Sequence, residues 1–235
     1  KGIPGVRLWM LSFLSGAVFC ASLLVRDYVP EVLAVVLSQV SIAVAAYLCF
    51  LGGRAYMGRP PLPHAVAATA IVGVVAAAVY FTVVQPNLVI RFALAGSVSG
   101  VCFLLTAHTV ARGGVRDVPA RYLFSLVAGL HGLFLLLRPL LFRLAMPGSG
   151  EEAGADMVVL LSQFVVLEAT LSLVLMAFGT LMLTNEHITR ELRHLAEMDP
   201  LTDVFNRRAF LTLLEKAISS AHRIQSDLSV LAIDL

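Results

Sequence analysis

The sequence predicts a mainly α protein: a polytopic six-helix transmembrane bundle, then a signalling helix, then a short α/β segment. Three observations lead there. Hydrophobic residues make up 59% of the 235 residues and charged ones 14%, whereas soluble domains run about half apolar and a quarter charged. Mean hydropathy is +0.89. The apolar residues also fall in six runs of spanning length up to residue 184, after which the composition turns polar.

A bilayer core of roughly 30 Å needs about 20 helical residues. The runs are Leu8–Val25, Val32–Leu51, Ala65–Val84, Leu88–Ala111, Tyr122–Leu141 and Met157–Thr184, with short polar or Gly/Pro segments between them, among them Gly52–His64, Arg112–Arg121 and Phe142–Asp156. The lipid bilayer is thus the first partner. Lys1, Arg7, Arg54, Arg59, Arg112, Arg116, Arg121, Arg190 and Arg193 fall on one side, nine cations against four on the other, Arg26, Arg91, Arg138 and Arg143. Asp27, Glu31, Glu151, Glu152 and Asp156 join the smaller set. Cationic loops stay cytoplasmic, so the C-terminal segment is predicted to be cytoplasmic. A net charge of +2 is too small to imply nucleic acid.

Cys20, Cys49 and Cys102 lie apart in apolar runs, spaced for neither a disulfide framework nor a metal; they read as packing residues. Gly96 and Gly100 form a small-xxx-small pair on the fourth run, a candidate close-packing face. The chain opens on Lys1 without a methionine, which leads us to expect sequence before it.

Ionisable residues at membrane depth are costly and are functional candidates by default. Glu168 lies about eleven residues into the sixth run and His131 about ten into the fifth, both near mid-bilayer, so a contact between them is geometrically allowed. Such a pair suits a proton or an unknown sensory ligand; the plainer reading is an interhelical hydrogen bond. Arg138, two turns from His131 on the same face, and Arg91, opening the fourth run, are candidates to clamp an anionic ligand. Snorkelling to head groups is the plainer alternative. His108 reads as packing or capping, His64 and His187 are assigned nothing, and His108 and His131 lie at depths too different to hold a haem.

Beyond residue 184, Leu181, Asn185, Ile188, Leu192 and Leu195 step by 4, 3, 4 and 3, the spacing of a coiled-coil seam. Glu191 and Glu197 interleave with Arg190 and Arg193 on a solvated face. This predicts a parallel homodimeric linker over 185–198, with Asn185 setting register. The alternative is an amphipathic helix packed on its own domain.

The next residues are Asp199-Pro200-Leu201-Thr202-Asp203-Val204-Phe205-Asn206-Arg207-Arg208. Phe210, Leu213, Leu214, Ala217, Ile218 and Ala221 then form one apolar helical stripe. Gln225–Asp227 reads as a turn and Leu228–Ile233 as a buried strand ending at Asp234. Open α/β sheets place ligand chemistry at that end.

This stretch resembles the opening of the GGDEF domain of diguanylate cyclases, typically Asp-x-Leu-Thr-Gly-Leu-x-Asn-Arg-Arg. Asp199, Leu201, Thr202, Asn206, Arg207 and Arg208 match. Asp203 stands where the family has glycine and Val204 where it has leucine. The glycine position is a turn, where Asp accepts unusual backbone angles better than most residues. The resemblance covers 199–235 and implies a dimeric enzyme joining two GTP into cyclic di-GMP. It also implies that Asp234 binds Mg²⁺ (or Mn²⁺), with Leu235 giving its backbone carbonyl. The full-length protein would be a diguanylate cyclase of the bacterial inner membrane, its domains 1–184, 185–198 and 199–235. The Gly-Gly-Asp/Glu-Glu-Phe loop is not among these residues, so on their own they are expected not to cyclise GTP. Two rival readings stay open: a degenerate GGDEF domain that binds nucleotide or a partner, and a transporter with a regulatory domain. Against the transporter, no matching pair of interrupted apolar segments appears.

Overall fold

A computed structural model describes residues 2–25, 28–60, 62–113, 119–145, 151–231 and 233. The elements are α1 (Val6–Leu24), α2 (Glu31–Tyr56), α3 (His64–Val79) with a π-turn at Tyr80–Val84, α4 (Leu88–Ala111), α5 (Pro119–Ala145), α6 (Glu151–Glu197) and α7 (Arg207–Ile224). The chain divides into two compact units, Lys1–Thr184 and Asn185–Leu235.

In the first unit a helix stands at each of the six predicted runs. Among the described residues, four stretches of helix are long and apolar enough to cross a membrane: Glu31–Tyr56, Ala93–Ala111, Pro119–Leu141 and Gln163–Glu197. The apolar parts of the other two, Val6–Ser22 and Ala68–Val84, are shorter. The ends depart from expectation on α5 and α6. The predicted loop Phe142–Asp156 is largely helical, since α5 runs to Ala145 and α6 begins at Glu151. Nothing in Glu151–Asp156 breaks a helix except Gly154, and acidic residues favour a helix's first turn. The third run ends in the π-turn, where Thr82 donates its hydroxyl to the Ala78 carbonyl.

α1 and α2 are antiparallel neighbours, joined by hydroxyl–carbonyl bonds of the kind that link membrane helices. Ser12 Oγ donates to Ala45 O at 2.7 Å and Ser15 Oγ to Ser41 O at 2.9 Å. Trp9 is buried near the N-terminal end of α1, its Nε1 donating to the Cys49 carbonyl. Its ring meets Tyr56 and Phe124, with centroids 5.4 and 5.6 Å away. Tyr56 in turn donates its hydroxyl to the Leu183 carbonyl of α6. The buried core of this unit runs through Ala46, Cys49, Phe103, Val110, Phe124, Ala128, Met176 and Leu183.

α4 and α5 approach most closely through glycine. A Cβ on Gly100 would lie 2.8 Å from the Gly132 carbonyl oxygen, and one on Gly132 would lie 2.8 Å from that of Gly100. A Cβ on Gly96 would meet the Leu135 carbonyl at 3.3 Å. The small-residue face expected on α4 is therefore real, and its counterpart is Gly132. Pro139 on α5 has no N–H.

In the second unit, the end of α6 leads into a tight turn and then α7. The strand expected at Leu228–Ile233 is absent among the described residues, which contain one isolated β-bridge, Met198 to Phe205, and no ladder. A strand exists only with a neighbour to bond to, and no described segment offers one. The predicted stripe on α7 stays open for the same reason, with Phe210, Leu213 and Ile218 exposed.

Candidate functional site

The turn between α6 and α7 is built by the residues that carry the resemblance. Asp199 Oδ1 accepts three hydrogen bonds, from Leu201 N at 3.0 Å, Thr202 N at 3.1 Å and Thr202 Oγ1 at 3.1 Å. Its own N–H donates to the Val204 carbonyl at 2.7 Å, and Asp203 N–H donates to the Asp199 carbonyl at 3.0 Å. Asp203 has φ of 54°, the left-handed region that glycine enters freely and Asp enters more readily than most residues. The substitution of glycine at this turn thus keeps the geometry at a modest strain.

Asn206 has two tasks. Its Oδ1 caps α7 by accepting from Ala209 N at 3.0 Å, and its Nδ2 donates to the Ala196 carbonyl at 2.8 Å. Its backbone N–H also donates to the Glu197 carbonyl at 2.8 Å. One side chain therefore satisfies an orphan donor of α7 and an orphan acceptor at the end of α6. Arg207 and Arg208 follow in the first turn of α7, solvent-exposed. The exposed His194–Asp203 contact, at 3.8 Å, contributes little.

The hydrogen bonds from Leu201 N, then Thr202 N and the Thr202 hydroxyl, hold the Asp199 carboxyl below its usual range. A depressed carboxylate stabilises the fold above its unfolded pKa, near 4, and that contribution is lost as pH falls through the lowered folded value. We therefore expect the turn to be intact at neutral pH and to loosen only in acid. Asp199→Ala should expose the Leu201 and Thr202 amides to hydrogen exchange already at neutral pH. Unchanged exchange in that variant would show that the carboxylate does not hold the turn.

Asp234 and Leu235, the metal ligands that the resemblance implies, lie outside the described residues, as do Lys1, Arg26, Asp27 and Arg116. Among the described residues no group of three or more His, Cys, Asp or Glu gathers as a metal site.

Within the first unit the contact that residue depth allowed between α5 and α6 is present. His131 Nδ1 lies 2.9 Å from Glu168 Oε1, and Ser172, one turn further along α6, donates its hydroxyl to the same oxygen at 2.8 Å. The imidazole is buried and packs edge-on against Phe103 of α4, centroids 4.7 Å apart at 77°. Arg138 lies within electrostatic reach of the Glu168 carboxylate. Arg91 is buried at the start of α4, its Nη1 2.9 Å from Thr82 Oγ1 and 3.6 Å from Glu31 Oε1. Of the two arginines that were candidates to clamp an anionic ligand, Arg91 thus lies beside Glu31 and Arg138 within reach of the Glu168 cluster. Ser172, Phe103 and Thr82 went unnoticed in the sequence; Ser172 alone carried a usable signal, its i+4 spacing from Glu168. Arg121, counted among the loop cations, is buried, held by the Gly113 carbonyl and the Tyr122 hydroxyl.

The predicted seam positions Leu181, Asn185, Ile188, Leu192 and Leu195 all lie on α6 and are all exposed on this single chain.

Comparison with known families places the turn and α7 in context. Residues 196–235 match the family model described as diguanylate cyclase, GGDEF domain. No curated protein and no solved structure gives a significant match to the chain. The similarity to the GGDEF domain is thus confined to 196–235, the end of α6, the turn and α7 with the residues after it.

Proposed function

We propose that this chain is the sensory and linking part of a membrane-bound diguanylate cyclase. In this reading its six apolar helices cross the bacterial inner membrane and regulate a cytoplasmic domain that makes cyclic di-GMP from two GTP. One observation carries the reading: the GGDEF match at 196–235 begins on the last turn of α6, the helix whose earlier part is an apolar span. The nine-to-four bias of cations supports a cytoplasmic C-terminus, the side where GTP is found.

Asp234, through its carboxylate, and Leu235, through its carbonyl, would hold Mg²⁺ or Mn²⁺. A hard oxygen donor set of this kind, completed by phosphate oxygens, fits these ions. When bound, the ion neutralises phosphate charge and polarises the phosphoryl oxygens. The remaining work falls to the chain itself. Asp199 and Asn206 fix how the domain opens after α6, and α7 supplies an apolar face for the rest of the α/β fold.

Two GTP molecules must meet, each on its own domain, so the active form is a homodimer. The exposed 4-3-4-3 row on α6 supports a parallel seam that brings the two domains together. Leu192→Asp places a charge on that seam and is expected to abolish crosslinking between protomers at positions 188 and 195, with most of the cyclase activity lost. Unchanged crosslinking would overturn the seam and leave the enzyme standing. The function itself is tested by supplying GTP and Mg²⁺ to the full-length protein in nanodiscs. Cyclic di-GMP should accumulate; an intact domain that forms no product would contradict the reading.

A further inference from the structure

α5 and α6 are joined at mid-span by a cluster whose charges do not close into a simple ion pair. His131 Nδ1 and the Ser172 hydroxyl converge on Glu168 Oε1 at 2.9 and 2.8 Å. The second carboxylate oxygen, Oε2, is buried without a hydrogen-bond partner among the described residues. Arg138, seven residues along α5 from His131, reaches the same carboxylate electrostatically. From α4 comes the Phe103 ring against the imidazole. The ionisable groups meeting here are therefore His131 and Arg138 from α5 and Glu168 from α6.

We infer that His131 and Glu168 form a proton-binding site that sets how firmly α5 holds α6. With a neutral imidazole, Nδ1–H donates to the carboxylate, and Arg138 balances the single negative charge. Uptake of one proton turns the same contact into imidazolium on carboxylate. The bond already has one ionised partner, and the second charge adds direct Coulomb attraction across it, so the contact tightens. The proton is held within the cluster, by the imidazole facing Oε1, and no other group needs to move for it to bind. Imidazole is the side chain whose ordinary titration spans about pH 5 to 8.

The direction follows from which form the contact favours. The contact is strongest with the imidazole protonated, so the hold between α5 and α6 is full at low pH and relaxes as pH rises through the titration. Arg138 opposes the added proton, so it sets the pH at which the site fills. Two apolar side chains would join these helices without burying charge, and a titratable pair at this depth is costly. The change of charge is what distinguishes it. That the state of this site reaches the cyclase rests on the function proposed above; proton binding and the α5–α6 hold do not.

The test uses the full-length protein in nanodiscs with ¹⁵N-labelled histidine, the His131→Gln spectrum identifying the His131 signal among the six histidines. The His131 signal is expected to report uptake of one proton as pH falls. Arg138→Gln should move the midpoint of that change upward, while Arg138→Lys should restore it. Spin labels at the exposed positions Leu130 and Leu171 should show a longer or broader α5–α6 distance as pH rises through the same midpoint, and Glu168→Gln should remove that dependence. A His131 signal fixed in one state, or a titration with no change of distance, would overturn the proposal. Titration and distance change without any response in cyclic di-GMP formation would leave the proton site standing and refute its link to the cyclase.

Discussion

Asp234→Ala in the full-length protein is expected to lower cyclic di-GMP formation by at least about a hundredfold, because a metal-positioning charge is worth several kcal/mol in the transition state. The reading of Asp234 rests on its register: it closes a segment that matches the GGDEF family from 196 onward. A single carboxylate with a neighbouring carbonyl suits a cation that draws its remaining ligands from phosphate oxygens. Asp234→Asn keeps the shape and lowers the ligand charge, so it should also fail, with partial recovery in excess Mg²⁺ or Mn²⁺. The helices of the first unit should be unaffected, since their buried core is built from residues within Lys1–Thr184. Purified dimer, GTP and a product assay decide the matter. Near-normal turnover by Asp234→Ala would show that the segment after α7 is misassigned.

The second large effect falls on the first unit. Gly132→Leu should cost more than the roughly 1–3 kcal/mol of ordinary overpacking, because the first added atom already meets backbone. A Cβ there would stand 2.8 Å from the Gly100 carbonyl oxygen and 3.0 Å from Leu104 N, and backbone cannot rotate out of the way. α4 and α5 would separate, and with them the Phe103–His131 contact. Gly73→Ala on α3 is the control, because nothing lies within 4 Å of a Cβ at that position. Thermal unfolding in detergent should show a clear loss for Gly132→Leu and little change for Gly73→Ala. Equal melting of both would mean that the glycine contact does not hold these helices together.

Much of this was legible from residue order because it is local or periodic. Apolar runs gave the positions of six helices, and α4 begins and ends where its run does. Counting residues from each membrane face put His131 and Glu168 at one depth, and they meet. The position held by Asp203 marked a turn needing a left-handed residue, and its φ is 54°. What escaped depends on neighbours distant in sequence. No pattern in Tyr80–Val84 announces a π-turn; its partner Arg91 lies on another helix. Gly100 suggested a close approach, but only the fold reveals that Gly132 answers it. The composition shift at residue 185 was legible: the two units divide there, and the row from Leu181 to Leu195 that crosses it lies on the one helix α6, as charged residues that form helices well allow. The segment Leu228–Ile233 has strand composition, but a ladder needs a second strand.

The central claim is that the membrane helices govern the cyclase through the seam on α6. Inserting residues between Asn185 and Ile188 tests it most directly, because a heptad seam keeps its phase after seven added residues, whereas two turn the following positions to the opposite face of the helix. Cyclic di-GMP formation by the full-length protein in nanodiscs should collapse with the two-residue insertion and return with the seven-residue one. Equal activity in both variants would contradict the account, since the seam's register would then carry nothing from the membrane to the enzyme.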